Sequence, residues 1–309
     1  MKDKNESKYF SVQKQKISED YAGSRLDNFL ISSISELPRS KIYSIIRKGE
    51  VRINGSRSKA HTRLKKGDLV RIPPFFVNKK RASHASQKII DLLKKSIVYN
   101  QKGILVLNKP HGLASHGGSG INIGLIEAVR QIDVRFKDAQ LVHRLDRDTS
   151  GCIVLALKRS SLRSLNEELR EGRVEKKYLA VVKGSWPYKQ KLISSYLKKN
   201  QLRSGEREVR INPKGKESKT NFKKIKDNLT ISLLMCEMIT GRTHQLRVQT
   251  SNEGHPIIGD KKYGDSEINT LYKKKGIKRM LLHAKSINFK ELNFSIETNE
   301  PKIFKEIFD

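Results

Sequence analysis

Cysteine is scarce in this chain, and long apolar runs are missing. Only two cysteines occur among 309 residues, Cys152 and Cys236, and each lies inside an apolar run. Two isolated thiols exclude a disulfide framework and offer no CxxC motif, so we expect reduced cysteines in a cytoplasmic protein. No run of 18 apolar residues exists, and the first fifteen residues lack the apolar core of a signal peptide. We therefore expect neither a membrane span nor a secretory leader.

Several common catalytic and nucleotide-binding motifs are also missing. The glycine-rich stretch SHGGSGINIG, residues 115–124, fits neither GxxxxGK[ST] nor GxGxxG, so it does not predict a phosphate-binding loop. His111 and His116 lack the spacing of a metal site, and no GxSxG segment supplies a serine nucleophile. By composition alone this stretch is best interpreted as a turn, so the chemistry is expected elsewhere.

Acidic residues are few relative to basic ones. The chain carries 64 Lys and Arg against 32 Asp and Glu, a formal net charge of +32. Charge of this size repels itself in a compact protein, so a polyanionic partner is expected. A lysine-rich composition could explain part of the excess, but hardly a twofold imbalance. Nucleic acid is therefore favoured over a membrane surface.

The first third of the chain has the pattern of a small basic module. Apolar residues at helical spacing predict two helices, one containing Leu26, Phe29 and Leu30 and the other Ile42, Ile45 and Ile46. The segments EVRINGSR and KKGDLVRIPP predict short strands, the first ending in an Asn-Gly turn. Residues 1–100 hold 23 Lys and Arg against 9 Asp and Glu. Such a module is typical of RNA binding.

The remaining pattern indicates a second, larger domain. We expect a flexible tail over 1–22, the small module over 23–76, a basic linker over 77–96 and the larger domain over 97–309. ILVLN, CIVLAL, YLAVVKG and LTISLLMCEMI predict strands that alternate irregularly with helices. This order favours an α+β fold with a mixed or antiparallel sheet. The charged residues 189–220 are expected to form a hairpin or excursion outside the core.

Four charged residues crowd the segment HRLDRDTSG, residues 143–151, directly before the apolar run CIVLAL. Arg144 and Arg147 flank Asp146, and nearby positive charge favours an ionised carboxylate. An ionised aspartate at a strand entrance can act as a nucleophile or a base. The alternative is an ion-paired turn in which Asp148 or Thr149 bonds its own backbone, and this segment alone favours that alternative.

Several segments taken together resemble two known families. GSRLDNFL, RSKIYSIIRKGEVRING and LKKGDLVRI resemble the S4 RNA-binding domain, with its two helices followed by strands, over roughly residues 23–73. HRLDRDTSG, EKKYLAVV and TGRTHQLRVQ, flanked by NKPHGLASH, GHPIIGDKKYG and LLHAKSINF, resemble the pseudouridine synthases of the RluA family over roughly residues 97–300. The second resemblance implies the pseudouridine synthase fold, a mixed, largely antiparallel sheet with flanking helices. The combination resembles the subgroup that modifies large-subunit ribosomal RNA. The first module favours its C type over its D type.

The resemblance implies a set of catalytic and substrate-binding residues. The family's catalytic aspartate, that of HRLD, corresponds to Asp146, as a nucleophile or as a base that removes a ribose proton. Tyr178 would stack on the target base, Arg247 would pair with Asp146, and Leu246 would form an apolar wall. Arg144 would enter the RNA stack as the target base flips out. One departure from the pattern is Gln249, where relatives commonly carry His.

The resemblance also implies RNA as the partner and a reaction without a cofactor or metal. The S4-like module would contact RNA phosphates through Arg25, Arg39, Lys41, Arg47 and Lys48. An internal isomerisation needs no redox partner, so no cofactor and no metal are expected. The expected substrate is 23S ribosomal RNA or a large-subunit assembly intermediate, bound by a monomer. A non-catalytic ribosome-assembly factor is the other hypothesis, although a pure binder would not need Asp146, Tyr178 and Arg247.

Overall fold

The computed structural model describes residues 7–34, 36–78, 84–118, 123–201 and 207–309. The chain divides into two compact units, residues 1–83 and residues 84–309. Among the described residues, no helix has both the length and the apolar character to cross a membrane.

The first unit contains two helices, a four-stranded sheet and a separate pair of strands. The helices are α1 (Leu26–Ser33) and α2 (Arg39–Arg47). The sheet has the order β2-β5-β3-β4 and the separate pair is β1 with β6. The strands are β1 (Ser7–Phe10), β2 (Gln13–Lys16), β3 (Arg52–Ile53), β4 (Ser56–Arg57), β5 (Leu69–Ile72) and β6 (Phe75–Asn78).

The apolar faces predicted for α1 and α2 meet in the core of this unit. Leu26, Leu30 and Ile42 are fully buried in one cluster with residues of the sheet. Asn54 and Gly55 both have positive φ between β3 and β4, as a two-residue hairpin turn requires. The helical periodicity and the Asn-Gly turn are therefore confirmed.

The prediction of a flexible tail over 1–22 is wrong for the part that the structure describes. Residues 7–10 form β1, and residues 13–16 form β2 at the edge of the sheet, paired with β5. Ile17 directly after β2 is buried in the core. The strand escaped prediction because an edge strand of Gln and Lys has almost no apolar signal, and its pairing with β5 is not visible in the local sequence. Residues 1–6 lie outside the described residues.

The prediction of a linker over 77–96 also needs correction. Helix α3 (Gln87–Lys95) belongs to the second unit, and its Ile90 and Leu93 are buried there. The Ser86 hydroxyl caps its first turn by accepting from the Ile89 N–H. The sequence looked like a linker because 13 of the 20 residues over 77–96 are polar and the apolar stripe is narrow. Residues 79–83 lie outside the described part.

The second unit is an α+β fold built on an eleven-stranded sheet in its described residues. The order is β13-β12-β14-β15-β11-β16-β10-β8-β7, with β17 on β16 and β9 on β10. The strands are β7 (Ile97–Gln101), β8 (Ile104–Lys109), β9 (Gln140–Leu141), β10 (Ser150–Ala156), β11 (Val174–Lys183), β12 (Gln190–Gln201), β13 (Arg207–Ile211), β14 (Lys216–Asp227), β15 (Ile231–Met238), β16 (Leu282–Phe289) and β17 (Phe294–Glu297). The remaining helices are α4 (Leu125–Val129), α5 (Arg159–Arg170), α6 (Gln245–Asn252), α7 (Ser266–Lys274) and α8 (Ile303–Glu306).

The described strand pairs are antiparallel except for β10 with β16, which are parallel. The predicted mixed, largely antiparallel sheet is thus confirmed. Gly151 makes the parallel contact possible, because its φ of +110° suits glycine and a Cβ there would lie 2.2 Å from the Ala284 carbonyl oxygen. This contact fixes the start of β10, where the HRLDRDTSG segment ends.

The hairpin expected over residues 189–220 is present, but it is not outside the core. Strands β12 and β14 pair along most of their length and extend the main sheet. Ile193, Leu197 and Val209 are buried against the rest of the unit. The many lysines interspersed along these strands concealed the apolar positions in the sequence.

Candidate active site

A cavity of about 480 Å³ opens where the HRLDRDTSG segment, β11 and α6 meet. All three predicted motifs contribute side chains to its wall. The cavity brings together the residues that the resemblance singled out in this unit, namely Arg144, Asp146, Tyr178, Leu246 and Arg247. Residues about 100 positions apart in sequence thus converge on one volume.

Asp146 lies at the wall of this cavity and is paired with a distant arginine. Arg247 Nη1 donates to Asp146 Oδ2 at 3.0 Å. The carbonyl oxygen of Asp146 accepts from the Thr149 N–H, which forms the turn that leads into β10. The flanking arginines do not take this role: Arg147 pairs with Asp148 at 3.3 Å, and Arg144 is exposed at the cavity wall. Asp146 is therefore paired with Arg247, as the resemblance implied, and not with the two arginines that flank it in the sequence.

Arg247 is itself fixed by a second carboxylate. Asp260 accepts from Arg247 Nε at 2.7 Å and from Nη2 at 2.9 Å, a bidentate pair. Burial opposes the charged form of Arg247, but the hydrogen bonds and the charge of Asp260 raise its pKa above the ordinary value. Burial also opposes the charged form of Asp260 and raises its pKa, yet the hydrogen bonds and charge of Arg247 hold the pKa of that carboxyl below its ordinary value. The guanidinium is therefore a fixed positive charge in contact with Asp146.

Tyr178 and Leu246 supply the apolar part of the wall. Tyr178 lies in β11 and packs against two of the core clusters, while Leu246 in α6 is buried in one of them. Burial raises the pKa of the Tyr178 phenol above its ordinary value, so the ring presents a neutral hydroxyl. A flat aromatic surface next to a carboxylate suits a planar, uncharged base.

His244, which the sequence reading passed over, also approaches Asp146. Its Nε2 lies 3.8 Å from Asp146 Oδ2, and its Nδ1 is 2.8 Å from the Tyr263 hydroxyl. The same hydroxyl accepts from the Val209 N–H at 2.9 Å. His244 adopts a left-handed backbone, φ 54°, directly before α6. The sequence signal for His244 was its position in THQLR, the segment that also contains Leu246 and Arg247.

Lys109 is a second residue that the sequence reading missed. It is fully buried, and its Nζ donates to the carbonyl oxygens of Pro110, Leu113 and Arg147 at 2.9, 2.8 and 3.0 Å. Burial lowers the pKa of this ammonium to about 7. Because Arg147 follows Asp146 directly, Lys109 supports the segment that carries the carboxylate. The only sequence signal was its place in NKPHG.

The basic residues predicted for RNA contact lie in the first unit. Arg39, Lys41, Arg47 and Lys48 are exposed on α2 and directly after it. Arg25 differs, because its Nε donates to Asp27 Oδ1 at 3.0 Å and that carboxylate also accepts from Tyr43. Among the described residues of both units, no group of three or more His, Cys, Asp or Glu is placed to hold a metal.

Family models match both units. The RNA pseudouridylate synthase model matches residues 103–252, and the S4 domain model matches residues 24–70. The chain is 46% identical over 281 residues to the Haemophilus influenzae protein named "Ribosomal large subunit pseudouridine synthase C", covering 90% of this chain and 87% of that protein. The chain belongs to the RNA pseudouridine synthase family.

Other members of the family give the same result. Proteins of the same name from Vibrio parahaemolyticus and Escherichia coli are 44% and 46% identical, covering 94% and 90% of this chain and 95% and 89% of theirs. The solved structure of human RNA Pseudouridylate Synthase Domain Containing 1 is 28% identical, with a TM-score of 0.56 over 69% of this chain and 86% of that one. The solved structure of human RNA Pseudouridylate Synthase Domain Containing 4 is 24% identical and shares the fold, with a TM-score of 0.59 over 71% of this chain and 93% of that one.

The protein is thus an RNA pseudouridine synthase, an isomerase, with an N-terminal S4 domain. Pseudouridine synthases detach uracil from its ribose and rejoin it through C5. The cavity of this chain is lined by a carboxylate, a cation in contact with it and an aromatic side chain.

Proposed function

We propose that this synthase isomerises more than one uridine in 23S ribosomal RNA, free or in large-subunit assembly intermediates, with Asp146 as the catalytic residue. The observation that carries the proposal is the Asp146–Arg247 pair in a cavity that Tyr178 also lines. The names of three relatives at 44–46% identity support the large-subunit substrate. The enzyme would meet this RNA in the cytoplasm.

The proposed reaction is an internal rearrangement of one nucleotide. The N1–C1′ bond breaks, the base turns within the cavity, and a C5–C1′ bond forms. The proton at C5 is lost and N1 gains one, so the balance requires no oxidant and no second substrate. Asp146 would either attack the sugar carbon or remove a ribose proton, and both roles use an anionic carboxylate. Arg247 stabilises that anion by contact, and its own partner Asp260 keeps it in place.

Two further residues would handle the base itself. Extruding a uridine costs stacking energy, and a side chain that fills the gap offsets part of that cost. Arg144 is exposed at the cavity wall and has no ion pair among the described residues, which leaves it available for this task. Tyr178 would stack on the extruded base, with Leu246 closing the apolar side.

The substrate proposal predicts a specific loss of modification in cells. A strain that lacks this protein should lose two or more 23S pseudouridines together, and wild type but not Asp146→Asn should restore each of them. Chemical mapping of pseudouridine across 23S, 16S and transfer RNA measures this. Loss confined to transfer RNA or 16S RNA would overturn the substrate. A different 23S set would favour the D type, and a single lost 23S site would contradict the multi-site part.

The S4 domain is proposed to supply most of the RNA affinity through α2. The triple variant Arg39→Gln, Lys41→Gln, Arg47→Gln removes three exposed charges from that surface. Each phosphate contact contributes a slope of about 0.7 to 0.9 in log affinity against log salt concentration, so we expect the slope to fall by roughly 2. Filter binding to a 23S fragment over a range of salt concentrations measures this slope.

A matched control separates a surface contact from a general charge effect. Lys273, Lys274 and Lys278 are exposed in and after α7 of the catalytic unit. Their triple change to Gln removes the same charge, and we expect a slope within about 0.5 of wild type. Equal changes in both triple variants would mean that α2 is not the docking surface.

A further inference from the structure

The Lys176 side chain lines the cavity and has no partner in the part of the chain that the structure describes. It lies in β11 two residues before Tyr178, and both side chains line the same cavity. The next residue, Lys177, does not line that cavity and pairs with Glu237 at 3.7 Å. Within the described residues, the ammonium group of Lys176 makes no hydrogen bond and no ion pair. A half-buried ammonium without an acceptor is unfavourable in the free protein.

A second cation makes this arrangement less favourable still. Burial lowers the pKa of Lys176, and the positive charge of Arg242 lowers it further. A Cβ on Gly241 would lie 3.4 Å from Lys176 Nζ, so the ammonium lies close to the backbone beside Arg242. Lys199 from β12 lines the same cavity. Three cations at one side of a cavity repel one another unless an anion joins them.

The position of these three cations indicates that the anion they bind is an RNA phosphate. A uridine bound in the cavity stays linked through its ribose to two backbone phosphates, and these must lie at the open side of the cavity. Lys199, Gly241, Arg242 and Thr243 also line a neighbouring groove of about 360 Å³. The other basic residues of that groove are Lys198, Lys214 and Lys216. The RNA strand therefore has a positively charged path from the cavity along the β12–β14 hairpin.

We propose that Lys176, Arg242 and Lys199 form a binding site for a backbone phosphate of the RNA, adjacent to the extruded uridine. The inference rests on the proposed location of the base beside Tyr178. The phosphate would neutralise the repulsion between Lys176 and Arg242, so the site is unfavourable when empty and favourable when filled. Lys176 acts here as a positioning residue and does not take part in bond breaking.

Lys176→Gln and Lys177→Gln form a matched pair, since the two variants remove the same charge at adjacent positions of one strand. The probe is a synthetic RNA hairpin containing a uridine that the wild-type enzyme modifies, studied under single-turnover conditions. Lys176→Gln should raise the half-saturating enzyme concentration about tenfold and reduce the salt slope by roughly 0.7, with the rate at saturation within about threefold. Lys176→Arg should behave like wild type, and Lys177→Gln should stay within about twofold.

A structural role for Lys176 predicts a different result. Loss of a structural lysine would lower the midpoint of thermal unfolding, whereas loss of an unpaired cation should leave it unchanged or raise it. A lower midpoint together with unchanged half-saturation in Lys176→Gln would overturn the phosphate site. Equal loss of affinity in Lys176→Gln and Lys177→Gln would also overturn it, because only one of them lines the cavity.

Neutral linkages in the RNA identify the phosphate directly. Single methylphosphonates are placed at each linkage within two nucleotides of the target uridine. One of them should weaken binding to wild type about tenfold and add no further loss to Lys176→Gln. Losses that add at every linkage would overturn the proposal. Any RNA that wild type modifies can serve, so this test stays decisive even if the 23S assignment fails in cells.

Discussion

Asp146→Asn is expected to lower the rate of pseudouridine formation by roughly four to six orders of magnitude, the usual effect of removing a residue that forms or breaks bonds. Asparagine keeps the size of the side chain but can neither attack a sugar carbon nor accept a proton at neutral pH. The S4 surface is untouched, and the site gains one net positive charge, so affinity for RNA should be equal or higher. Single-turnover kinetics on a 23S fragment and filter binding measure the two quantities separately.

The adjacent aspartate provides the control for this prediction. Asp148 lies two residues away in the same segment, where it pairs with exposed Arg147. Asp148→Asn removes the same charge without touching the Arg247 contact, and we expect turnover within about tenfold of wild type. Turnover of Asp146→Asn above background, with wild-type contamination excluded, would contradict the assignment of Asp146. A parallel loss in both variants would point to a general electrostatic effect.

The elements that the sequence predicted well are those with strong local patterns. Strand β10 is buried at every position, and its last five residues belong to the unbroken apolar run CIVLAL. Helix α5 has a clear apolar stripe and ends just before Gly172, whose φ of 72° is left-handed. Such signals need no knowledge of the rest of the chain.

The elements that were missed depend on distant partners. Strand β2 is polar and becomes a strand because β5 offers it hydrogen bonds. Helix α3 buries only a narrow stripe, and the buried positions of β12 and β14 are interspersed with lysines. In each case the local composition is that of a loop, and tertiary contact decides the structure.

The candidate site also combines residues that the sequence predicted with residues whose contacts only the fold shows. Asp146, Tyr178 and Arg247 lie in motifs whose resemblance to a family is visible in the sequence. Lys109 and Asp260 are buried polar residues, and only the fold shows that one supports the Arg147 carbonyl and the other the Arg247 guanidinium. Gln249, a departure from the family pattern, is buried and bonds Thr220 Oγ1 at 2.7 Å, and it does not line the cavity. The departure therefore lies in the packing behind the site.

Asp260→Ala is expected to damage both stability and turnover. Asp260 is 1% exposed, and it accepts from two nitrogens of Arg247 and from the N–H groups of Lys262 and Tyr263. Among the described residues, its loss leaves the buried Arg247 guanidinium with Asp146 as its remaining ion-pair partner. Breaking a buried ion pair costs about 3–5 kcal/mol in the free energy of unfolding. The rate should fall about a hundredfold, because Arg247 would no longer be held in one orientation toward Asp146. Urea unfolding and single-turnover kinetics measure these effects.

The pH dependence of stability gives an independent check on the Arg247–Asp260 pair. Since Arg247 holds the pKa of Asp260 below its ordinary value of 3.8, the pair contributes stability above about pH 4 and loses it as the pH falls through the lower, folded-state pKa. The difference in unfolding free energy between wild type and Asp260→Ala should therefore shrink in acid. Asp138 is exposed and serves as control, since Asp138→Ala should change stability by less than about 0.5 kcal/mol at any of these pH values. If the difference in unfolding free energy between wild type and Asp260→Ala stays constant from pH 7 to pH 3, Asp260 acts through packing and its charge does not hold Arg247.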